Sequence, residues 1–169
     1  ELRAAGMSAD AAAFDIRDDA SLQRFSASLE IAPLDILVNN AFAGPGGTIQ
    51  TAQRSEFADT YDIAVTSGHM LIQTLLPNLR AAFARNGDAS IINIASMYGI
   101  VSPDLRVYDS PEDSNPPFYG AAKAALIQYT RYAACEFGPE GLRVNAVAPG
   151  PFPSTKVQER LPEFVSKLA

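Results

Sequence analysis

The sequence has very little of several residue types that carry recognisable functions. Its 169 residues include one cysteine, one histidine and no tryptophan. A single cysteine cannot form an internal disulfide, which is typical of a protein from a reducing compartment, so we expect a cytoplasmic protein. The only histidine, His69, has no second ligand at a suitable spacing, and we therefore expect no bound metal.

Positive charge and long apolar runs are also scarce. The chain has 13 basic and 19 acidic residues, which gives a net charge of −6. Because a nucleic-acid-binding domain normally presents a basic face, we expect no nucleic-acid partner. No stretch of about 18 apolar residues occurs, so we expect no membrane span. Hydrophobic residues nevertheless make up 47% of the chain, which is enough to build the core of one domain.

Short apolar runs alternate with stretches of helical periodicity along the chain. Four runs predict buried strands, at residues 11–16, 34–38, 89–95 and 142–148. Three stretches predict helices, at residues 18–29, 55–84 and 119–137, and a last helix is expected to begin near Ser154. Pro77 is expected to kink or interrupt the second of these helices. Strands that alternate with helices are typical of an α/β domain with a parallel sheet.

Polar or conformationally special residues follow each predicted strand. They are Asp15, Asn39 with Asn40, Ser96, and Pro149 with Gly150. Because ligands of open parallel sheets bind beyond the carboxyl ends of the strands, these positions predict one site. Taken alone, Asp15 is equally well explained as the cap of the next turn, and Ser96 as a turn residue.

Tyr119 and Lys123 lie four residues apart on a predicted helix and therefore share one face. An ammonium group beside a phenol favours the phenolate and lowers its pKa from about 10, which suits a general acid or base. Ser96, at the end of the preceding strand, can hydrogen-bond a substrate oxygen while Tyr119 exchanges its proton. The alternative for the Tyr119–Lys123 pair alone is an exposed lysine beside a tyrosine at a helix start.

Four segments follow one another in a recognisable order. They are Asn39-Asn40-Ala41, Ile92-Asn93-Ile94-Ala95-Ser96, Tyr119-Gly120-Ala121-Ala122-Lys123 and Arg143-Val144-Asn145-Ala146-Val147-Ala148-Pro149-Gly150. Together they resemble the short-chain dehydrogenase/reductase family over essentially the whole chain. The resemblance implies a Rossmann-type, doubly wound parallel sheet in three α/β/α layers, with NAD or NADP as the hydride carrier. It also implies a small-molecule substrate and a homodimer or homotetramer.

The resemblance implies roles for individual residues as well. Tyr119 corresponds to the catalytic acid/base, Lys123 to the residue that holds the nicotinamide ribose, and Ser96 to the hydroxyl that orients the carbonyl. Tyr119 and Lys123 are also implied cofactor contacts. The others are Asp15 and Ile16 at the adenine, Asn40 and Ala41 beside the adenine ribose, and Gly150 and Phe152 under the nicotinamide ring.

Three departures from the family pattern concern function. Ala64 stands where the family has a catalytic asparagine, and an alanine there cannot support the ordered water of the usual proton relay. Tyr119 follows Ser96 by 23 positions, and the segment between them is a long proline-rich loop, in which Arg106 is a candidate substrate contact or, alternatively, a solvated charge. No G-x-G-x-x-G-like turn follows a strand, so the usual phosphate-binding turn is missing.

The missing turn leads to an expectation about the domain. The four predicted strands correspond to strands 3, 4, 5 and 6 of the family's sheet order, 3-2-1-4-5-6-7. The first of them would then lack a neighbour for its backbone hydrogen bonds. We therefore expect residues 1–169 to be a partial dinucleotide-binding domain that lacks the first two β-α units and the last strand. We expect this chain to be inactive when isolated.

These observations predict an NAD(P)-dependent oxidoreductase that acts on a carbonyl or secondary alcohol. The long proline-rich loop is similar to that of family members that oxidise sugars, polyols or sugar acids. A 3-oxoacyl thioester reductase is one alternative. A catalytically impaired binding or regulatory member of the same fold is another, which Ala64 and the missing phosphate-binding turn favour.

Overall fold

A three-stranded parallel sheet forms the centre of the computed structural model, which describes residues 2–108, 110–153, 155–160 and 162–167. The strands are β1 (Ile36–Asn39), β2 (Ala89–Ile94) and β3 (Leu142–Val147), in the spatial order β1-β2-β3. Leu37 pairs with Ile91, and Ile91 pairs with Val144. Since the strands are parallel, their carboxyl ends lie at one edge of the sheet.

Helices connect and flank these strands. They are α1 (Asp19–Leu29), α2 (Arg54–Tyr61), α3 (Ser67–Asn86), α4 (Pro117–Phe137), α5 (Thr155–Arg160) and α6 (Pro162–Lys167). The Asp18 carboxylate caps α1 by accepting hydrogen bonds from the N–H groups of Ala20 and Ser21, at 3.3 and 3.0 Å. Within the described segments, no helix combines the length and the apolar character needed to cross a bilayer.

The hydrophobic core lies on one face of the sheet. Leu37, Ile91 and Val144 are buried there, against α1, α3 and α4. The alternate side chains of the strands point to the opposite face, where Ile36, Val38 and Val147 remain 58%, 51% and 48% exposed. The sheet and the helices α1, α3 and α4 therefore form two layers. The α/β class is confirmed, and a second helical layer is not formed by the part of the chain that is described.

Residues 11–16 are not a strand, so this prediction from the sequence is wrong. Residues 11–15 have no regular structure, and a turn follows at residues 16–17. The apolar composition of the segment is that of a strand, but β1 pairs only with β2, and no other neighbour exists in the described sheet. An apolar run without a partner strand cannot satisfy its backbone groups in a ladder.

The long second helix is interrupted at a different point from the one predicted. A five-residue π-helical turn, Asp62–Thr66, separates α2 from α3. Pro77 lies inside α3, so the helix is not interrupted at this residue. The next residue, Asn78, donates from its side-chain amide to the carbonyls of Glu30 and Ala32, at 2.9 and 2.8 Å. These hydrogen bonds connect α3 to the segment between α1 and β1.

Candidate functional site

A cavity of about 340 Å³ opens at the carboxyl edge of the sheet. Ser96, which follows β2, lines it together with Tyr119 and Lys123 from the first two turns of α4. Asn40 and Gly150, which follow β1 and β3, border the same cavity. The structure thus brings together residues that follow all three strands, as expected for a ligand site of an open parallel sheet.

Hydrogen bonds to β3 hold Ser96 at the end of β2. The N–H of Ala95 donates to the Val147 carbonyl at 2.7 Å, and the N–H of Met97 donates to the Pro149 carbonyl at 3.0 Å. The Oγ of Ser96 accepts a hydrogen bond from the N–H of Tyr98 at 3.2 Å. Because the oxygen is the acceptor in this bond, the Ser96 hydroxyl can still donate its proton to a ligand in the cavity.

Lys123 is almost completely buried beside the tyrosine. The residue is only 4% exposed, and its Nζ donates to the Ile94 carbonyl at 2.6 Å. The same Nζ lies 5.7 Å from the centroid of the Tyr119 ring. Burial lowers the pKa of Lys123, because the charged form loses its hydration. An ammonium has three N–H donors, and the bond to Ile94 uses one of them.

Two glycines allow the segment after β2 to pack directly on α4. A Cβ on Gly99 would lie 2.7 Å from the backbone carbon of Lys123, and one on Gly120 would lie 2.8 Å from the Tyr98 carbonyl oxygen. Real Cβ atoms do not approach backbone atoms this closely. The missing side chains therefore set the distance between the Ser96 segment and the helix that carries Tyr119 and Lys123.

Several of the residues assigned to the cofactor lie elsewhere or at the rim of the cavity. Ile16 and Ala41 line a separate small cleft that also contains Ala64. Asp15 is exposed, and its carboxylate accepts a hydrogen bond from the N–H of Arg17 at 2.9 Å. Asp15 therefore caps the turn that follows it, as in the alternative interpretation of this residue. Phe152 borders the main cavity but is 95% exposed.

Arg106 does not line the main cavity in the described structure. It is exposed and forms a two-point ion pair with Asp104, with Nε–Oδ1 and Nη2–Oδ2 distances of 2.9 and 2.7 Å. The hydrogen bonds from Arg106 lower the pKa of Asp104 to about 2. The pair lies within a turn of the long loop. In this structure Arg106 is thus a solvated charge, which is the alternative to a substrate contact.

Ala64 lies in the π-helical turn between α2 and α3 and is buried. Next to it, Asn39 donates from Nδ2 to Oδ1 of Asn93 at 2.8 Å, and Asn93 donates from Nδ2 to Oγ1 of Thr130 at 2.9 Å. This buried chain of hydrogen bonds connects β1, β2 and α4. The π-helical turn makes the helix backbone irregular at the position of Ala64. Irregularities of this kind are frequent at functional sites.

His69 lies outside the cavity, on α3. Its Nδ1 is 3.0 Å from the Tyr129 hydroxyl on α4, and the two rings meet edge to face. Burial raises the pKa of Tyr129 to about 12. His69 thus connects two helices, and no group of three or more potential metal-ligating side chains occurs among the described residues.

Phe42, Tyr98 and Asn115 are among the cavity-lining residues that the sequence analysis missed. The Phe42 ring contacts the Tyr119 ring, and the Tyr98 hydroxyl lies 2.9 Å from the Tyr108 hydroxyl. Phe42 directly follows Asn39-Asn40-Ala41, and Tyr98 follows Ser96 by two positions, so proximity to strand ends was a usable signal for both. Asn115 lies inside the long loop, where no such signal existed.

Comparison with known sequences shows the relationships of this chain. A family model described as enoyl-(acyl carrier protein) reductase matches residues 1–168. The rhamnolipids biosynthesis 3-oxoacyl-[acyl-carrier-protein] reductase of Pseudomonas aeruginosa is 37% identical over 142 residues, which cover 83% of this chain and 52% of that protein. The chain spans about half the length of the curated relatives it matches.

Solved structures have the same fold. The Pseudomonas aeruginosa RhlG/NADP active-site complex superposes with a TM-score of 0.77 and 33% identity, over 91% of this chain and 58% of that one. An NAD⁺-bound xylitol dehydrogenase superposes with a TM-score of 0.73 and 26% identity, over 99% of this chain and 60% of that one. The sequence match, the fold and the shared cavity of Ser96, Tyr119 and Lys123 lead to one conclusion: the chain belongs to the short-chain dehydrogenase/reductase family.

Proposed function

We propose that this chain is the catalytic part of an NAD(P)-dependent oxidoreductase that interconverts a carbonyl and a secondary alcohol. The supporting observation is that Ser96, Tyr119 and Lys123 line one cavity. Tyr119 exchanges a proton with the substrate oxygen, and Ser96 donates a hydrogen bond to the same oxygen. The Lys123 ammonium, beside the Tyr119 ring, favours the charged phenolate during this exchange.

The residues present fit the nicotinamide end of the cofactor. The buried Lys123 has N–H donors beyond the one used by Ile94, and these suit ribose hydroxyl groups. Asn40 and Gly150 border the same space. When bound, the nicotinamide supplies or accepts the hydride. Structurally similar proteins bind NADP in one case and NAD⁺ in another, so the proposal includes both.

We further propose that the adenine end of the cofactor lies near Asp15, Ile16 and Ala41, and that segments outside residues 1–169 complete the domain. Those segments supply the phosphate-binding turn, two β-α units and the last strand. Two observations support this proposal: one face of the sheet is apolar and half exposed, and the chain spans about half of its relatives.

We propose that the full-length protein is a cytoplasmic homodimer or homotetramer. Support comes from exposed aromatic side chains on the helical layer. Tyr61 on α2 and Tyr132 on α4 are largely exposed, and aromatic residues are enriched at protein interfaces. The measurement that tests the oligomeric state is the mass of the full-length protein by light scattering.

A sugar, polyol or sugar acid is the proposed substrate class. The cavity offers polar groups from Asn40, Tyr98 and Asn115 in addition to Ser96 and Tyr119, which suits a molecule with several hydroxyls. The structural similarity to an NAD⁺-bound xylitol dehydrogenase favours the same class.

A 3-oxoacyl thioester reductase is the second candidate, because of a specific observation. A second cavity of about 610 Å³ lies between the long loop and the segment before α2, and apolar residues such as Ile49, Pro103 and Leu105 line it. It shares the lining residues Tyr98 and Asn115 with the first cavity, so the two cavities adjoin, and we propose that the second one takes the acyl chain. The 37% identical relative is itself a 3-oxoacyl reductase.

The experiment that tests these proposals uses the full-length protein. NAD⁺, NADP⁺ and their reduced forms are titrated by fluorescence, and turnover is then measured with polyols, sugar acids and 3-oxoacyl thioesters. Cofactor binding with turnover that Tyr119→Phe abolishes supports the oxidoreductase, and the preferred substrate selects between the two classes. Cofactor binding without turnover on any substrate supports the catalytically impaired alternative that Ala64 favours.

A further inference from the structure

Phe42 contacts both of the groups that carry the proposed proton chemistry. It lies three residues after the end of β1 and lines the cavity, with 38% of its surface exposed. Its ring centroid lies 4.7 Å from that of Tyr119, at an interplanar angle of 86°. The Nζ of Lys123 lies 5.5 Å from the same Phe42 centroid. The ring rests against Gly44, where an added Cβ would lie 3.3 Å from Cζ of Phe42.

Both contacts have favourable geometry. An edge-to-face pair at this separation is attractive, because the positive edge of one ring meets the negative face of the other. A cation within about 6 Å of a ring centroid is attracted by the same charge distribution. The attraction is greater where water is excluded, and Lys123 is 4% exposed with a single described hydrogen-bond acceptor, the Ile94 carbonyl.

We propose that Phe42 is a positioning residue of this site, which fixes the orientation of the Tyr119 ring and stabilises the charged form of Lys123. The catalytic meaning of this inference rests on the proposed oxidoreductase function, whereas the contact itself does not. No carboxylate, histidine or arginine among the described residues lines the cavity. The titratable groups that line the cavity with Lys123 are Tyr119 and Tyr98. The electrostatic partners of the ammonium are therefore the Phe42 and Tyr119 rings and the Ile94 carbonyl.

The test is a pH titration of Lys123 by ¹³C NMR, in full-length protein labelled at lysine Cε and free of cofactor and substrate. The Lys123 signal is assigned by its loss in Lys123→Met. Phe42→Leu keeps an apolar wall but removes the aromatic face, so the ammonium loses stabilisation and the Lys123 pKa falls by about 0.4–1.5 units. Phe42→Tyr is the matched control, because it keeps the aromatic face and leaves the titration unchanged.

A second measurement tests the contact with Tyr119. The pH profile of kcat/KM changes shape in Phe42→Leu and keeps its shape in Phe42→Tyr, whereas a purely structural role would lower all rates equally at every pH. Thermal unfolding checks that each variant is folded. If Phe42→Leu does not fold, Phe42→Met takes its place as the aliphatic variant.

The outcomes separate the inference from the proposed function. The inference is overturned if the aliphatic variant titrates like the wild type, or if Phe42→Tyr shifts as far as the aliphatic variant. If the Lys123 shift appears but no form of the protein turns over any substrate, the contact is supported and the proposed oxidoreductase function is wrong.

Discussion

The lysines and arginines of this chain have very different surroundings, and these decide what each can do. Lys123 is buried beside two aromatic rings and a single carbonyl. Arg106 lies in solvent and is paired with Asp104 two residues away. A buried cation acts strongly on nearby groups because water does not screen it, whereas an exposed ion pair contributes little. The chemistry at the residue scale therefore depends on Lys123 and its neighbours.

The first prediction concerns the proton donor. In the full-length enzyme, Tyr119→Phe removes the hydroxyl and keeps the ring, so we expect turnover to fall by about 10²–10⁴-fold. The measurement is kcat with the preferred substrate under saturating cofactor. Tyr132→Phe, the same change at an exposed position of α4, is the control and keeps its activity. Retention of more than half of the activity in Tyr119→Phe would contradict the assignment.

The second prediction concerns pH dependence. Lys123→Met removes the ammonium that favours the phenolate, so the proton is released only at higher pH and the activity profile moves upwards in pH. We expect cofactor affinity to fall as well, because the proposed ribose contact is lost. The measurements are kcat/KM for alcohol oxidation against pH and a cofactor titration. Arg24→Met, at an exposed position on α1, is the control cation. An unchanged profile together with unchanged affinity would rule out both roles.

At the scale of elements, the site depends on how closely the segment after β2 approaches α4. Gly99 and Gly120 permit backbone contact there, and the bonds from Ala95 and Met97 connect the same segment to the end of β3. Ser96 therefore sits between a strand and a helix that are both fixed. A substitution that alters this packing therefore changes the position of Ser96 relative to Tyr119, even when the substituted residue contacts neither side chain.

The third prediction follows from this packing. Gly99→Ala places a methyl group within 3 Å of the backbone of Lys123 and Ala124, so α4 and the turn must separate. We expect the free energy of unfolding to fall by about 1–3 kcal/mol and turnover to fall with it. Urea unfolding and kcat of the full-length protein are the measurements.

Gly138→Ala is the matched control for this prediction. Gly138 has ordinary helical backbone angles, and nothing lies within 4 Å of an added Cβ. Because Gly138 precedes Pro139 and a Cβ before proline is disfavoured at helical angles, we expect a modest loss of stability but turnover close to that of the wild type. Equal effects of the two substitutions would show that the Gly99 contact does not position the site.

At the scale of the whole molecule, the sheet is covered on one face only. Ile36, Val38 and Val147 present an apolar surface on the other face, and β1 has a neighbour on one side only within the described sheet. Exposed apolar patches and free strand edges promote association between chains. The described part of the chain is therefore a sheet with helices on one face and an exposed apolar surface on the other.

The fourth prediction concerns residues 1–169 expressed alone. We expect a poorly folded, aggregating protein that binds neither NAD nor NADP tightly, because the pyrophosphate lacks a glycine-rich turn at a helix start. Size-exclusion chromatography with light scattering, thermal unfolding and a cofactor titration are the measurements. A monodisperse chain with a cooperative melt and micromolar affinity, about −8 kcal/mol, would refute the assignment of its strands within the family's sheet.

Sequence reasoning located most elements correctly and identified the catalytic candidates, because both depend on local patterns. Apolar runs located β1, β2 and β3, and Asp18 marked the start of α1. Ser96, Tyr119 and Lys123 were found from their places at a strand end and on one helix face. The strand predicted at residues 11–16 is wrong because a strand requires a partner elsewhere in the chain, and a local pattern does not show whether that partner is present.

Contacts between distant residues were decided by the folded chain. The π-helical turn that contains Ala64, the pairing of Arg106 with Asp104 and the packing of Phe42 on Tyr119 all depend on how several elements meet. Hydrophobic periodicity and strand-end positions specify which face of an element is buried, so they are readable from the amino acids in order. Which side chain then meets Lys123 depends on the angles and distances between β1, β2 and α4, and these are set by packing across the core.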